Sequence, residues 1–390
     1  MEIKEKLYPA IVAVGYNRPG SLQRLLNSIG NANYNYSNVT LVISLDRSEI
    51  FDKVLSVAEA FQWNYGRKEI RTFEERQGLR KHILQCGDLS EQYGAVIIFE
   101  DDIVVSPEFY NYTVEALEFY KKEERVAGIA LYSHKYNGYA QKLFEPVHNG
   151  YDTYMGQFSV TWGQCWSANQ WRSFKEWYCA NNQIELKPQR NVPLAVTQWP
   201  ETSWGKYFVY YIVNQDRYYV MPYEALATCF SDVGEHVQAS DTLHQVPLLQ
   251  AKRVYRFPDF DEAEKYDIFF ESITIKRCFE ADISKNLNVD LFGLKNRIYD
   301  KRYLLSVEKK PFFSLKTYGM VMRPKELNVI YNVEGKDIYL YDTSQSIKQN
   351  KKGNIKSQIY YDSWGSDWKT ALQFGVFEFW KKIKRKFCFR

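Results

Sequence analysis

VIIFEDDIVVSPEFY, residues 96–110, is the stretch that decides how the chain is read. Apolar residues run straight into three acids, Glu100, Asp101 and Asp102, and apolar residues resume at once. Adjacent carboxylates repel, and burying each costs several kcal/mol unless a positive group sits among them. Two readings follow. Either the acids form an exposed turn, with an Asp capping the helix that begins near SPEFY, or they hold a cation and a ligand. If the backbone stays extended through them, Glu100 and Asp102 face one way and Asp101 the other.

Upstream, the pattern is regular. PAIVAVGYNRP (9–19) is a strand-length apolar run, followed by GSLQRLLNSIGN (20–31) with helical apolar spacing at Leu22, Leu25, Leu26 and Ile29. NVTLVISLDRS reads as a second buried strand ending at Asp46, FDKVLSVAEAFQWN as an amphipathic helix and YGRKEIRTF as a shorter strand. Residues 78–93 read as helical again, and 94–99 form the strand that leads into the acids. Strands alternating with helices at this spacing predict βαβ units and a mainly parallel sheet. Ligands of such sheets bind beyond the carboxyl ends of the strands, which is where Arg18, Asp46 and Glu100–Asp102 fall. No Gly-x-Gly-x-x-Gly run or phosphate-cradling Gly-Lys-Ser/Thr loop is present, which counts against dinucleotide dehydrogenases and ATPases.

Composition narrows the classes further. The 390 residues allow one large domain or two unequal ones, and 45% hydrophobic with 25% charged residues describes a globular chain. The 17% aromatic content, with 31 Tyr and 10 Trp, suits the CH faces of carbohydrate. A net charge of +4, with no block of mixed basic and aromatic residues, argues against nucleic acid as partner. Six cysteines without CxxC spacing are expected to be reduced thiols rather than a disulfide framework or zinc site. The first twenty residues show no signal-peptide pattern, and no apolar run has transmembrane length.

The pieces in order, YNRP after the first strand, SLD after the second, FEDD followed by SPEFY, the FSVTWG loop, and SWGKY followed by MPYEALATCFSDVGEH, resemble GT-A glycosyltransferases. The closest resemblance is to the family of the Golgi β-1,2-N-acetylglucosaminyltransferase that starts complex N-glycans, with its bacterial relatives. It spans about residues 8–240. It implies an α/β, Rossmann-like GT-A fold, a mixed, mainly parallel sheet flanked by helices, with a C-terminal α+β extension. It implies a UDP-sugar donor and Mn²⁺ (or Mg²⁺) as cofactor, with Asp102 binding the metal at the donor's diphosphate, Asp101 at the ribose and Glu100 at the transferred sugar. Asp46 would bond the uracil and Arg18 would sit near the nucleotide. Arg76 and Arg80, in EERQGLRKH, either meet phosphate, whose oxygens suit the Arg fork, or lie on a solvated helix face. Trp162, Gly163 and Trp166 either line the sugar or acceptor site or anchor the core.

One departure stands out. An inverting transferase needs a carboxylate base for the acceptor hydroxyl, worth ~10²–10⁴ in rate. The Asp that follows the family's Trp is replaced here by Gly205 and Lys206, after Trp204. The substitutes, in order, are Glu201, Asp232 and Glu235, with His236 as a base or phosphate contact. A retaining mechanism stays open.

The tail, DWKTALQFGVFEFWKKIKRKFCFR, sets Trp368, Leu372, Val376, Phe379 or Trp380, Ile383 and Phe387 on one helical stripe, with cations crowding its end. It reads either as a helix on an anionic membrane surface or as one packed on the domain. The expected organisation is a catalytic domain over 1–240, an extension over 241–366 and the tail helix over 367–390. The expected activity is metal-dependent and, by the resemblance, inverting, with transfer to a hydroxyl of a surface glycan such as capsule or O-antigen, free or lipid-linked. The expected place is the cytoplasmic face of a bacterial cell membrane, as a peripheral protein. The rivals are a non-catalytic sugar-nucleotide or glycan-binding module and a sugar nucleotidyltransferase.

Overall fold

The computed structural model describes residues 6–158, 160–182, 186–230, 232, 244–251, 254–295, 300–348, 355–363 and 367–387. The chain divides into two compact units, Met1–Arg277 and Cys278–Arg390.

The first unit begins with β1 (Ala10–Gly15), α1 (Pro19–Gly30), β2 (Leu41–Leu45), α2 (Phe51–Ala60), β3 (Lys68–Thr72), α3 (Leu79–Asp88), α4 (Ser90–Tyr93) and β4 (Ala95–Glu100). These four strands are parallel, with β1 between β4 and β2, so the alternation of apolar strands and amphipathic helices is realised as repeated βαβ units. Next come β5 (Ile103–Val105), α5 (Phe109–Tyr120), β6 (Val126–Ala130), the hairpin of β7 (Tyr136–Asn137) and β8 (Lys142–Leu143), β9 (Thr153–Gly156) and β10 (Gln164–Ser167). Then follow α6 (Ala168–Asn181), α7 (Leu194–Thr197), α8 (Trp204–Asn214), β11 (Tyr218–Pro222), β12 (Ala227–Cys229) and β13 (Lys265–Tyr266).

Nine of these strands form one sheet, ordered β13-β9-β11-β6-β10-β4-β1-β2-β3. β6 and β11 share the direction of the first four, while β10, β9 and β13 oppose it. The fold is thus mixed α/β, with a mainly parallel sheet flanked by helices. β1 is apolar throughout, and β2 and β4 are apolar but for Ser44 and the terminal Glu100, because both faces are covered. Leu22, Leu25, Leu26 and Ile29 of α1 are fully buried against them, each contributing about 1.5–3 kcal/mol of apolar burial. This packing fixes the direction in which α1 leaves β1, and so the place of Arg18 at the junction.

The first unit runs on past residue 240, where sequence reading closed it. Lys265 and Tyr266 add an edge strand to β9, and Tyr120 Oη donates to the carbonyl of Pro258. A two-residue strand is too short to show periodicity. The second unit holds α9 (Ala281–Lys285), β14 (Leu287–Asp290), β15 (Tyr303–Ser306), β16 (Phe312–Tyr318), α10 (Lys325–Ile330), β17 (Ile338–Ser346), α11 (Ile355–Asp362) and α12 (Trp368–Phe387). Its strands form a separate sheet ordered β14-β15-β17-β16 around Leu304, Tyr339 and Tyr341. The cysteines among the described residues are all free thiols.

α3 carries one wall of the candidate site and packs on α6 through a close approach at Gly87. A Cβ there would lie 2.2 Å from the ring of Trp171. That ring is buried and held by Asp88, which accepts its Nε1–H at 2.7 Å. Gly87→Ala is therefore expected to destabilise the fold by about 1–3 kcal/mol, read as a lowered midpoint in thermal or urea unfolding.

Candidate functional site

β1, β2 and β4 end on one hollow of about 230 Å³, whose walls include Arg18, Asp46, Arg76, Glu100, Asp101, Asp102 and Asp232. Arg18 occupies the cap position of α1 but makes no side-chain bond to the helix, whose start is set by Pro19 at its first turn. The guanidinium turns to the acids instead. It forms an ion pair with Asp101, meets Asp102 Oδ2 at 3.3 Å and donates to the backbone carbonyl of Asp232 at 3.2 Å. Arg18 is the positive group that the three adjacent acids require.

The acids themselves do not alternate. β4 stops at Glu100, and Asp101–Asp102 form a turn. Both therefore reach the same guanidinium, where an extended strand would have parted them; the two-residue period holds only for extended backbone. Neither Asp caps the next helix, whose cap position is Glu108 without a side-chain bond to it.

Burial, reinforced by Asp102 and Asp101, pushes the Glu100 carboxyl up to about 8. Burial also lifts Asp101 to about 6 against the pull of Arg18. At neutral pH Glu100 is therefore largely protonated and able to donate a hydrogen bond. Asp232 is held below its ordinary range: burial opposes this, but bonds from Ser21 and Arg24 prevail. Ser21 Oγ donates to Asp232 Oδ2 at 2.7 Å, and Arg24 forms an ion pair with the same oxygen. Sequence reading missed both partners. The signal was their i, i+3 spacing along the flank of the apolar stripe of α1.

Asp46 is almost wholly enclosed. Its Oδ1 accepts the backbone N–H groups of Arg47 and Gln77 at 2.8 and 2.7 Å, and its Oδ2 accepts that of Gly78 at 2.9 Å. The carboxylate thus pins the loop before α3 to the end of β2 and keeps acceptor capacity on Oδ2. Behind it, His82 pairs with Ser44 Oγ at 2.7 Å, and burial lowers its pKa to about 4, so it stays neutral.

Arg76 lines the hollow with its guanidinium 4.9 Å from the centre of the Tyr16 ring. Arg80 lies elsewhere. It donates to Tyr178 Oη and to the carbonyl of Glu201, and it covers the Tyr207 ring at 4.2 Å. Glu201 is engaged there too, accepting from Lys206 Nζ at 2.5 Å and Tyr207 Oη at 2.6 Å. These bonds lower its pKa, and its side chain lines neither this hollow nor the next. Lys206, buried where the resemblance expected an acid, is the reason. Glu235 and His236 lie outside the described residues.

A second hollow of about 500 Å³ adjoins the first, sharing Leu79 and Glu100 with it. Its walls carry Trp162, Trp199, Trp204, Phe158, Phe270, His134 and His244, and Gly205 opens onto it. Trp162 stacks on His244 at 4.8 Å, and Phe158 on Phe270 at 3.9 Å. The Trp residues of the FSVTWGQCW region therefore divide: Trp162 faces this hollow, while Trp166 is buried and donates to Tyr219 Oη at 3.0 Å. Gly163 serves packing, because at its φ of +97° a Cβ would lie 2.8 Å from Phe99.

Among the described residues no three His, Cys, Asp or Glu side chains converge as metal ligands. Asp102 alone presents a carboxylate engaged at one oxygen by a 3.3 Å contact. That donor set fits a hard divalent ion whose other ligands are phosphate and water oxygens.

No family model matches the sequence, and no curated protein is similar to it in sequence. Solved structures with partial backbone similarity include Staphylococcus aureus TarS 1–349, with a TM-score of 0.37 and 16% identity over 57% of this chain and 60% of that one. The same TarS fragment with UDP-GlcNAc gives 0.38 and 14%, over 59% and 61%. The mannosyltransferase PcManGT from Pyrobaculum calidifontis, with GDP-Man and Mn²⁺, gives 0.29 and 13%, over 43% and 46%. The chain spans about three fifths of the TarS fragment. Overlap this partial leaves the site to be read from its own residues.

The acids also set a pH dependence. Glu100 titrates near its ordinary 4.5 when unfolded and at about 8 when folded. Its stabilising proton is fully retained below the unfolded value and lost as pH rises through the folded one. Asp101 acts in the same sense at lower pH. Without ligand or divalent ion, the thermal midpoint is expected to fall most clearly from about pH 6.5 to pH 8, because His82, kept neutral by burial, works in the opposite sense below 6.5, and Glu100→Gln is expected to flatten that slope. A parallel slope in the variant would remove Glu100 as its source.

Proposed function

We propose that the first unit is a metal-dependent glycosyltransferase of the GT-A type, moving a sugar from a UDP-sugar to a hydroxyl of a surface-glycan acceptor with inversion. The observation that carries this reading is the convergence of Arg18, Asp46, Glu100–Asp102 and Asp232 on one hollow at the strand ends, joined through Glu100 to a ring-lined one.

The roles are those the resemblance implies, and the geometry supports them as follows. Asp46, with acceptor capacity left on Oδ2, takes an imino N–H of the nucleobase. Asp101, turned by Arg18, takes the ribose hydroxyls. Asp102 holds a Mn²⁺ or Mg²⁺ ion, which as a Lewis acid would neutralise the departing diphosphate. Arg18 and Arg76 bring further positive charge to the same side. Glu100, protonated at the junction, bonds a hydroxyl of the transferred sugar, and the rings of the second hollow stack on sugar and acceptor CH faces.

In the chemical step, the acceptor oxygen bonds to the anomeric carbon as the bond to the diphosphate oxygen breaks, and the hydroxyl proton passes to a carboxylate. We assign that base to Asp232. It lines the hollow, and Ser21 and Arg24 hold it through Oδ2, whereas Glu201 is engaged at both oxygens by Lys206 and Tyr207 and lines neither hollow.

A second reading has one specific observation in its favour. Gly205 and a buried, paired Lys206 stand where the resemblance expects the base, as in a module that binds sugar nucleotides without turning them over. A panel of nucleotide sugars with Mn²⁺, scored for release of UDP, and a parallel reaction of UTP with sugar 1-phosphates, scored for release of pyrophosphate, separate the cases. Transfer predicts UDP release by the wild type and its loss in Asp102→Ala. Asp232→Asn is expected to lower kcat by ~10²–10⁴ with the donor KM little changed, while Glu201→Gln stays near wild type. Donor binding without UDP release supports the binding module, and pyrophosphate release supports nucleotidyl transfer.

A further inference from the structure

The helix α12 leaves its large apolar side chains uncovered. Trp368, Leu372, Val376, Phe379 and Trp380 are each between 50% and 71% exposed. At about 100° per residue, these five and Ile383 fall within an arc of about 120°. A helix of 20 residues is about 30 Å long, so the arc is a continuous strip. The sequence then reads KKIKRK over 381–386, with no acid after Glu378. Among the described residues no helix is long and apolar enough to cross a membrane.

An uncovered aromatic and aliphatic strip beside a dense run of one charge sign has two requirements, an apolar phase and a layer of negative charge. We propose that α12 lies along the surface of an anionic lipid bilayer, with Trp368, Leu372, Val376, Phe379 and Trp380 among the acyl chains near the headgroups. The lysines and arginine of KKIKRK meet the phosphates. Charge complementarity selects this occupant: a second copy packed in parallel would set one KKIKRK run against another. The inference does not depend on sugar transfer, and its test needs no donor.

The test is co-sedimentation of the full-length protein with vesicles of phosphatidylcholine alone, or with about 30% phosphatidylglycerol, at about 0.1 and 1 M salt. Binding is expected only to the anionic vesicles, with a blue shift of Trp emission and loss at high salt. Lys381→Glu/Lys384→Glu is expected to cut partitioning by at least about fivefold per charge. Trp380→Ser is expected to weaken binding, with an unchanged thermal midpoint showing that the fold persists. Equal binding to both vesicle types, binding insensitive to salt, or no binding would each overturn the proposal. Self-association in sedimentation velocity that disappears in Trp380→Ser, without vesicle binding, would assign the strip to a second copy instead.

Discussion

The structure turns on one guanidinium among carboxylates. Arg18 is placed by backbone geometry, at the corner where β1 gives way to α1, and the acids are placed by the end of the neighbouring strand β4. Neither group would be stable there alone. An unpaired buried cation or an uncompensated run of acids is strongly destabilising, whereas together they are held in a fixed arrangement. The same residue also reaches the carbonyl of Asp232, so a segment 214 residues further along the chain is drawn to the first βα corner.

This arrangement explains why the site has both order and reactivity. Burial keeps Glu100 protonated and lifts Asp101, while Arg18, Arg24 and Ser21 keep charge on their partners. Neighbouring carboxyl groups in contrasting environments are how one fold separates hydrogen-bond donors from acceptors. The loop over the hollow is likewise held by charge rather than by apolar packing, since Asp46 collects three backbone N–H groups that would otherwise be unpartnered.

Much of this was legible in the chain. The strands β1, β2 and β4 are apolar runs because both their faces are covered, and the polar residues that end them had to sit at the sheet's edge. What lay beyond reading was set by single turns and long-range pairs. Nothing local distinguishes an extended Asp101–Asp102 from a turned one, so the shared approach to Arg18 was invisible. The engagement of Glu201 depends on Lys206 folding back five residues, in the place where an acid was expected. Trp162 and Trp166 are told apart by contacts such as those with His244 and Tyr219, which lie far along the sequence.

Glu100 forms a party wall between two chambers, one rimmed by acids and the other by rings. A ligand on either side that favours one protonation state of this carboxyl changes the proton content felt by the other. Linkage then makes the effect mutual, with each occupant altering its neighbour's affinity by the same factor. Occupants of the two compartments would then be coupled through the proton of this one shared carboxyl.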